Sequence, residues 1–321
     1  MSLDEAIEEV EALEFEDEGG PDEEDVEEVG VEDEETAENE EYYEDESGVD
    51  DEEEYVAICL AIKDQYWDLP EWFIHHYYHL GIRRFYIMDD GSDPPISSRD
   101  IDYGIPKSAI TFHYQERETR GNWMQLTFYQ QCNNWWGSKH AWIAYIDIDE
   151  FLEVTTPNET FNGILKSFDD DELVGALGVN WQLHNSNGLL TRPESVRQSF
   201  TTCLYDSPEE LHGGSDDNHH IKSIVKTAFF TSAQNPHKFG LRDGAMTVGE
   251  NGDVIESQAF RSPITKDRIS LHHYAVKSRE EFEEKLLRSN AMTDPKDENF
   301  WNHMENLVPT VNCTEMAQYD P

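Results

Sequence analysis

The sequence predicts an α/β domain built around parallel strands, and three observations carry that expectation. Residues 55–62 (YVAICLAI) form a continuous apolar run, the pattern of a strand buried on both faces of a parallel sheet. A helix-forming segment and a second short run, residues 84–88 (RFYIM), follow it, and strand–helix–strand is the βαβ unit. A third run, residues 141–146 (AWIAYI), ends like the second in a cluster of acids, which places polar groups at strand carboxyl ends.

The elements follow in order. After the first strand, Asp68 can cap a helix, Pro70 suits its first turn and Glu71 completes a capping-box spacing. Trp72, Phe73, His76, Tyr77 and Leu80 lie on one side of it and Gly81 ends it. The second strand runs into Asp89-Asp90-Gly91-Ser92-Asp93. Residues 109–113 form a further strand, 122–136 an aromatic-rich helix, and 141–146 a central strand leading to Asp147-Ile148-Asp149-Glu150. Residues 176–181 and 223–230 are expected strands. A late helix opens at Ser278 with a Ser278-x-x-Glu281 capping box, Phe282 and Leu286 facing inward. No fixed-period repeat occurs, so residues 55–321 read as one three-layered α/β domain with a less regular second half.

Charge divides the chain. Of 70 acidic residues, 30 fall in residues 1–54, which hold none of the 23 Lys and Arg. So acidic and apolar-poor a segment cannot bury enough surface to offset its ordering entropy, and residues 1–54 are expected to be a disordered tail, either solubilising or a dock for a basic partner. A net charge of −47 disfavours nucleic acid as a partner. With no run of 18 apolar residues, no basic n-region and no apolar h-region, the chain reads as cytoplasmic and without a transmembrane segment. Cys59, Cys132, Cys203 and Cys313 show no metal-site spacing, and free buried thiols are expected.

The chemistry concentrates at strand ends. Asp147 and Asp149 lie two apart after a buried strand, so both carboxylates can reach one site at the sheet rim. Two carboxylates with diphosphate oxygens and water suit Mg²⁺ or Mn²⁺, and neutralising either aspartate is expected to relieve their mutual repulsion. Asp89, Asp90 and Asp93 are placed to accept hydrogen bonds from a nucleobase or ribose, although the same residues make an ordinary Asp-Gly turn. Trp181 and the group Trp123, Trp135 and Trp136 could stack on sugars or belong to the core.

Lys63, Leu69-Pro70-Glu71-Trp72, Gly81-Ile82, the turn from Tyr86 to Asp93, and Ile146-Asp147-Ile148-Asp149-Glu150-Phe151 recur in this order. Lys222-Ser223-Ile224-Val225-Lys226, Leu271-His272-His273-Tyr274, Lys277-Ser278 and Glu281-Phe282 continue the series. Together they resemble the family-2-like GT-A glycosyltransferases, and glycosyltransferase family 92 most closely, over roughly residues 55–290. The resemblance implies a Rossmann-like GT-A mixed sheet flanked by helices, a nucleotide-sugar donor such as a UDP-sugar, and a glycan or other hydroxyl acceptor. It further implies inverting transfer and Mn²⁺ or Mg²⁺ held by Asp147 and Asp149, with His273 approaching the metal or diphosphate and His272 an alternative. Lys63 becomes a candidate for binding the donor, and Lys222 and Lys226, on one face of an alternating strand, could meet the donor diphosphate or a surface carboxylate. Asp216 and Asp217, in a Gly-Gly-Ser-Asp-Asp loop, are candidates for the general base that takes the acceptor proton, with Glu194 behind them.

The chain departs from the family's pattern in two places. Membrane-anchored members carry an N-terminal transmembrane helix not seen here, which leaves a Golgi or other secretory location open. The segment from Gln182 to Gly188 matches the expected acceptor loop only in part. A haloacid-dehalogenase-like phosphatase using Asp147 as nucleophile is the main rival, since Asp147-Ile148-Asp149 also resembles that loop. A non-catalytic binding scaffold is the other.

Overall fold

The computed structural model describes residues 54–119, 121–206, 216–288 and 296–319. The acidic tail expected over residues 1–54 lies outside this set but for Glu54, as does the side chain of Asp216.

Val56–Ile62 (β1) is buried along almost its whole length and pairs in parallel with Arg84–Asp89 (β2) on one side and Trp142–Tyr145 (β4) on the other. Ile110–Tyr114 (β3) extends β2, again in parallel. Between β1 and β2 runs the short helix α1, Leu69–Ile74, continued by a wider turn over His75–His79 and ended by Gly81 at φ +75°. The long helix α2, Met124–Trp136, covers the sheet between β3 and β4 and packs Phe128, Tyr129 and Cys132 on Tyr86, Tyr145 and Cys59.

The second half is woven differently. Glu150–Val154 (β5), α3 (Phe161–Lys166), Val174–Leu183 (β6), α4 (Val196–Ser199), Thr202–Leu204 (β7) and Ile221–Lys226 (β8) are followed by β9 (Phe230–Ala233), β10 (Phe239–Leu241) and β11 (Met246–Val248). Ile269–His273 (β12), α5 (Arg279–Arg288), α6 (Glu298–Asn302) and β13 (Thr310–Asn312) complete the order. Among the described residues the main sheet has nine strands in the order β3-β2-β1-β4-β8-β6-β12-β5, with β11 on β6. Strand β8 lies antiparallel to both β4 and β6, and β12 is parallel to β6 but antiparallel to β5. The sheet is therefore mixed, flanked by helices, as expected.

It is also curled. Strands β4 and β5 stand four places apart, about 19 Å in a flat sheet at about 4.8 Å per strand. Yet only four residues separate them, and Glu150 N donates to Asp147 O at 3.1 Å, closing a turn whose ends lie within about 7 Å. Only a curled sheet brings the two strands that close.

Some local expectations are corrected. Asp68 does not cap α1; it receives Lys277 Nζ at 2.9 Å and Arg192 Nη1 at 3.3 Å. Glu71 turns away from its own helix and caps α4, accepting from Ser195 Oγ, Val196 N, Arg197 N and Arg197 Nε. A stronger partner explains the swap, since the Arg197 guanidinium is almost wholly buried and needs a carboxylate. The strand expected over residues 223–230 is broken by a turn at 227–229, which yields β8 and β9. The Ser278 capping box forms as expected, Ser278 Oγ donating to Glu281 Oε2 at 2.6 Å.

The cysteines are not free thiols. Cys59 is joined to Cys132 and Cys203 to Cys313. Separations of 73 and 110 residues leave no spacing signature; the packing of β1 against α2, and of β7 against β13, brings each pair together. Among the described residues no helix is long and apolar enough to cross a membrane.

Candidate active site

All four residues of β4 are buried, and the chain leaves its carboxyl end through Ile146 into the turn Asp147-Ile148-Asp149-Glu150. The antiparallel register of β8, Ala144 opposite Ile224, carries Lys222 two residues beyond the paired stretch to the height of Ile146, next to Asp147. Its Nζ lies 2.9 Å from Asp147 Oδ2 and 4.0 Å from Glu150 Oε2. Helix α2 supplies the other oxygen's partners: Gln125 Nε2 at 2.7 Å and Tyr129 OH at 3.2 Å donate to Asp147 Oδ1.

Asp149 is held from the opposite side. Strand β12 pairs with β5 so that His273 stands opposite Glu150, and Tyr274 N donates to Asp149 O at 2.8 Å. His273 Nε2 lies 3.7 Å from Asp149 Oδ1, and His273 Nδ1 lies 3.9 Å from Glu150 Oε1. Among the described residues neither His273 Nδ1 nor Glu150 Oε1 has a hydrogen-bond partner, although both are buried. Helix α5 brings Lys285, whose Nζ donates to Asp149 Oδ2 and to Ala275 O, each at 2.9 Å.

Burial and these charges set the protonation states. Burial alone would raise Asp149, but Lys285 and His273 hold its carboxyl well below the usual carboxylate range. Burial pushes Glu150 well up; Lys222 opposes that, and the charges of Asp147 and Asp149 add to it. Lys222 is raised because Asp147 and Glu150 outweigh the burial that would lower it. His273 is lowered by burial against the pull of Asp149, which favours the neutral imidazole. The trio Asp147, Asp149 and His273 thus offers two carboxylates and a neutral ring nitrogen, a donor set that could hold a divalent cation.

These residues line a cleft of about 250 Å³. Of the residues singled out from sequence, the structure brings Lys63, Asp90, Asp147, Asp149, Lys222 and His273 together there, with Trp181 beside them. Lys226 does not join them: it sits at the far end of β8, opposite Trp142, donating to the carbonyls of Phe168, Asp169 and Asp171. Asp89 spends both oxygens on its own turn, accepting from Ser92 N and Ile96 N at 2.9 Å each. Asp93 is exposed and outside the cleft lining. Asp217 pairs with His303 at 2.6 Å and does not line the cleft either. Trp123 and Trp135 are exposed, and Trp136 stacks on Tyr86.

Sequence reasoning missed Gln125, His237, Lys285, Arg288 and Lys296, all of which line the cleft. Lys285 and Arg288 carried a signal: Lys285 lies three residues after the inward-facing Phe282, and Arg288 three further on, so one helical face continues from the core to the rim. The indole of Trp181 packs against His220 (4.7 Å, nearly parallel) and His273 (4.4 Å), and its buried Nε1 has no hydrogen-bond partner among the described residues.

The sequence profile of glycosyltransferase family 92 matches residues 54–308. A glycosyltransferase family 92 protein of Oryza sativa subsp. japonica is 24% identical over 226 residues, 67% of this chain and 35% of that protein. One of Ricinus communis is 25% identical over 237 residues, 73% of this chain and 37% of that protein. The chain thus spans a little over a third of the length of the curated relatives it matches. Among solved structures, a mannosyltransferase of Pyrobaculum calidifontis, in complex with GDP-Man and Mn²⁺, aligns at 14% identity with a TM-score of 0.31, over 60% of this chain and 56% of that one. So slight a likeness carries no argument of its own. The profile match covers most of the sequence, and on that ground the chain belongs to glycosyltransferase family 92.

Proposed function

We propose that the domain transfers a sugar, with inversion, from a nucleoside-diphosphate sugar to a hydroxyl of a glycan or related acceptor, assisted by Mn²⁺ or Mg²⁺. One observation carries the donor class. In a chain of net charge −47, the cleft is lined by five cationic side chains: Lys63, Lys222, Lys285, Arg288 and Lys296. Such a concentration in so acidic a protein suits a polyanionic ligand with oxygens to spare, and a diphosphate is one.

The residues divide the work. Asp147, Asp149 and His273 would hold the cation, and cation–ligand bonds of about 2.1 Å can be met by two atoms 3.7 Å apart, as His273 Nε2 and Asp149 Oδ1 are. When bound, the cation supplies charge neutralisation for the leaving diphosphate. Lys222 and Lys285, which otherwise neutralise the two aspartates, are placed to turn toward phosphate oxygens. Asp90, just after β2, would accept from the nucleoside, and the part of the Trp181 ring that lines the cleft would give a sugar an apolar contact.

The test is nucleoside-diphosphate release from a panel of nucleotide sugars, with and without Mn²⁺ and with a chelator. The expected result is release that requires the cation and is lost in Asp147→Asn. A chain that releases none, and binds no nucleoside diphosphate by calorimetry with Mn²⁺ present, rejects the proposal.

A further inference from the structure

Behind the cleft wall, on the opposite face of β12, His184, Cys203, His272 and Cys313 meet. Each is buried, and their ligand atoms all lie within 4.8 Å of one another. His184 and Cys203 face each other across an isolated bridge, Cys313 follows β13, and His272 precedes His273 on β12. Four chain segments therefore converge on one point.

With both rings neutral, the hydrogen bonds around the cluster fix which ring nitrogens carry protons. His184 Nδ1 lies 2.6 Å from Phe200 O, a carbonyl that can only accept, so Nδ1 bears the hydrogen and Nε2 is bare in the neutral ring. His272 Nε2 lies 2.9 Å from Glu153 Oε2, a carboxylate that likewise accepts, which leaves His272 Nδ1 bare. The two bare nitrogens then face each other at 2.9 Å. Lone pairs so close repel unless a shared proton or a metal cation lies between them. Cys203 Sγ stands 3.4 Å and Cys313 Sγ 3.9 Å from the same His184 nitrogen. In a tetrahedral zinc site with bonds of about 2.0–2.3 Å, neighbouring ligand atoms are about 3.3–3.8 Å apart. A buried imidazole that donates its other nitrogen to a carbonyl or carboxylate is also the arrangement that orients zinc-bound histidines.

We propose that Cys203, Cys313, His184 and His272 form a structural Zn²⁺ site in the reduced chain, to which the Cys203–Cys313 disulfide is the oxidised alternative. The interconversion balances as follows. A dithiol reductant gives two electrons and two protons to the sulfur–sulfur bond and becomes a cyclic disulfide. The sulfurs part, and Zn²⁺ displaces the two thiol protons to take both thiolates. The site is separate from the cleft trio, because His272 and His273 project from opposite faces of β12. A reducing compartment would hold the zinc form and an oxidising one the disulfide.

The experiment uses the full chain reduced with a phosphine, which takes up the oxygen of one water and leaves its two protons on the sulfurs. Co²⁺ then stands in for Zn²⁺. The expected result is one tetrahedral site per chain with thiolate-to-cobalt charge-transfer absorption, displaced by Zn²⁺ and absent from the unreduced chain. Cys203→Ser with Cys313→Ser should abolish the band while Cys59 and Cys132 remain, and Asp147→Asn should keep it. Glu153→Gln, which leaves all four ligands in place, should weaken Zn²⁺ binding roughly 10–100-fold. A fully reduced chain without the band overturns the proposal, since a proton then bridges the imidazoles. Retention of the band in the double serine variant, or wild-type affinity in Glu153→Gln, overturns it equally.

Discussion

Replacing Lys222 with methionine keeps an unbranched side chain one atom shorter and removes its charge. The ammonium is 2% exposed, 2.9 Å from Asp147 and 4.0 Å from the fully buried Glu150, so the variant leaves two carboxylates facing each other without their cation. Breaking a buried pair by deleting one partner costs about 3–5 kcal/mol, and because Asp147 is 29% exposed, water returns part of that loss and places the expectation near the lower end. At about 2–4 °C per kcal/mol for a domain of this size, Tm should fall by roughly 6–12 °C. The sign with pH follows from Glu150. Burial already holds its carboxyl above the usual range, and losing Lys222 must raise it further. The folded variant then keeps a proton that the unfolded chain releases, so the stability tied to that proton is present below the ordinary glutamate value and lost as pH rises through the raised one. Urea unfolding followed by tryptophan fluorescence should show a deficit against wild type that is largest near pH 8 and smaller near about pH 5. A deficit under about 1 kcal/mol near pH 8, or one unchanged by pH, would refute the reasoning.

Asp149→Asn should reduce nucleoside-diphosphate release at least about 100-fold and should also cost stability, about 2 kcal/mol, because Lys285 and His273 stabilise the charged carboxylate. That stability is present above the ordinary aspartate value and lost as pH falls through the depressed one, so calorimetry should find the gap to wild type closing in acid. His303 is raised by its hydrogen bond to Asp217; its contribution is complete below about pH 6.5 and lost as pH rises through the elevated value. Histidine NMR titration should find it above the usual range, and Asp217→Asn should return it there. In Gly249→Ala the new methyl would overlap the guanidinium of Arg261, which bonds Asp253 and Asn180, and chemical unfolding should show a loss of about 1–3 kcal/mol with Mn²⁺ dependence unchanged.

The parallel half of the sheet was legible because β1, β2 and β4 are almost wholly apolar and the last two run into acids. The far half was not. Strands β5 and β12 bury Glu150, Glu153, His272 and His273, of which Glu153 and His272 bond to each other, and these buried polar residues interrupt the hydrophobic pattern of both segments. Asp147, Asp149, Lys222 and His273 could be found because a strand end or a family-like motif flagged each. Lys285 and Lys296 come from the other end of the chain, and only tertiary closure shows what they face. Asp89 misled because a carboxylate that clamps its own turn and one that awaits a ribose have the same sequence context. The free-thiol expectation failed for the same kind of reason: pairing over 73 and 110 residues is decided by which elements touch.

The turn from Asp147 to Glu150 is where the arc of the sheet closes, and this makes the two aspartates a gauge of its curvature. Each is tied to a different bank, Asp147 to β8 and α2, Asp149 to β12 and α5. Opening the arc pulls those banks apart and lengthens the gap between the carboxylates; tightening it shortens the gap. Gly178 on β6, whose added methyl would press on Ile221 and Ile255, lies in the middle of that arc. Residues with no access to the cleft thus have a mechanical route to the spacing on which a bound cation would depend, and variation in the buried half of this sheet can tune chemistry it never touches.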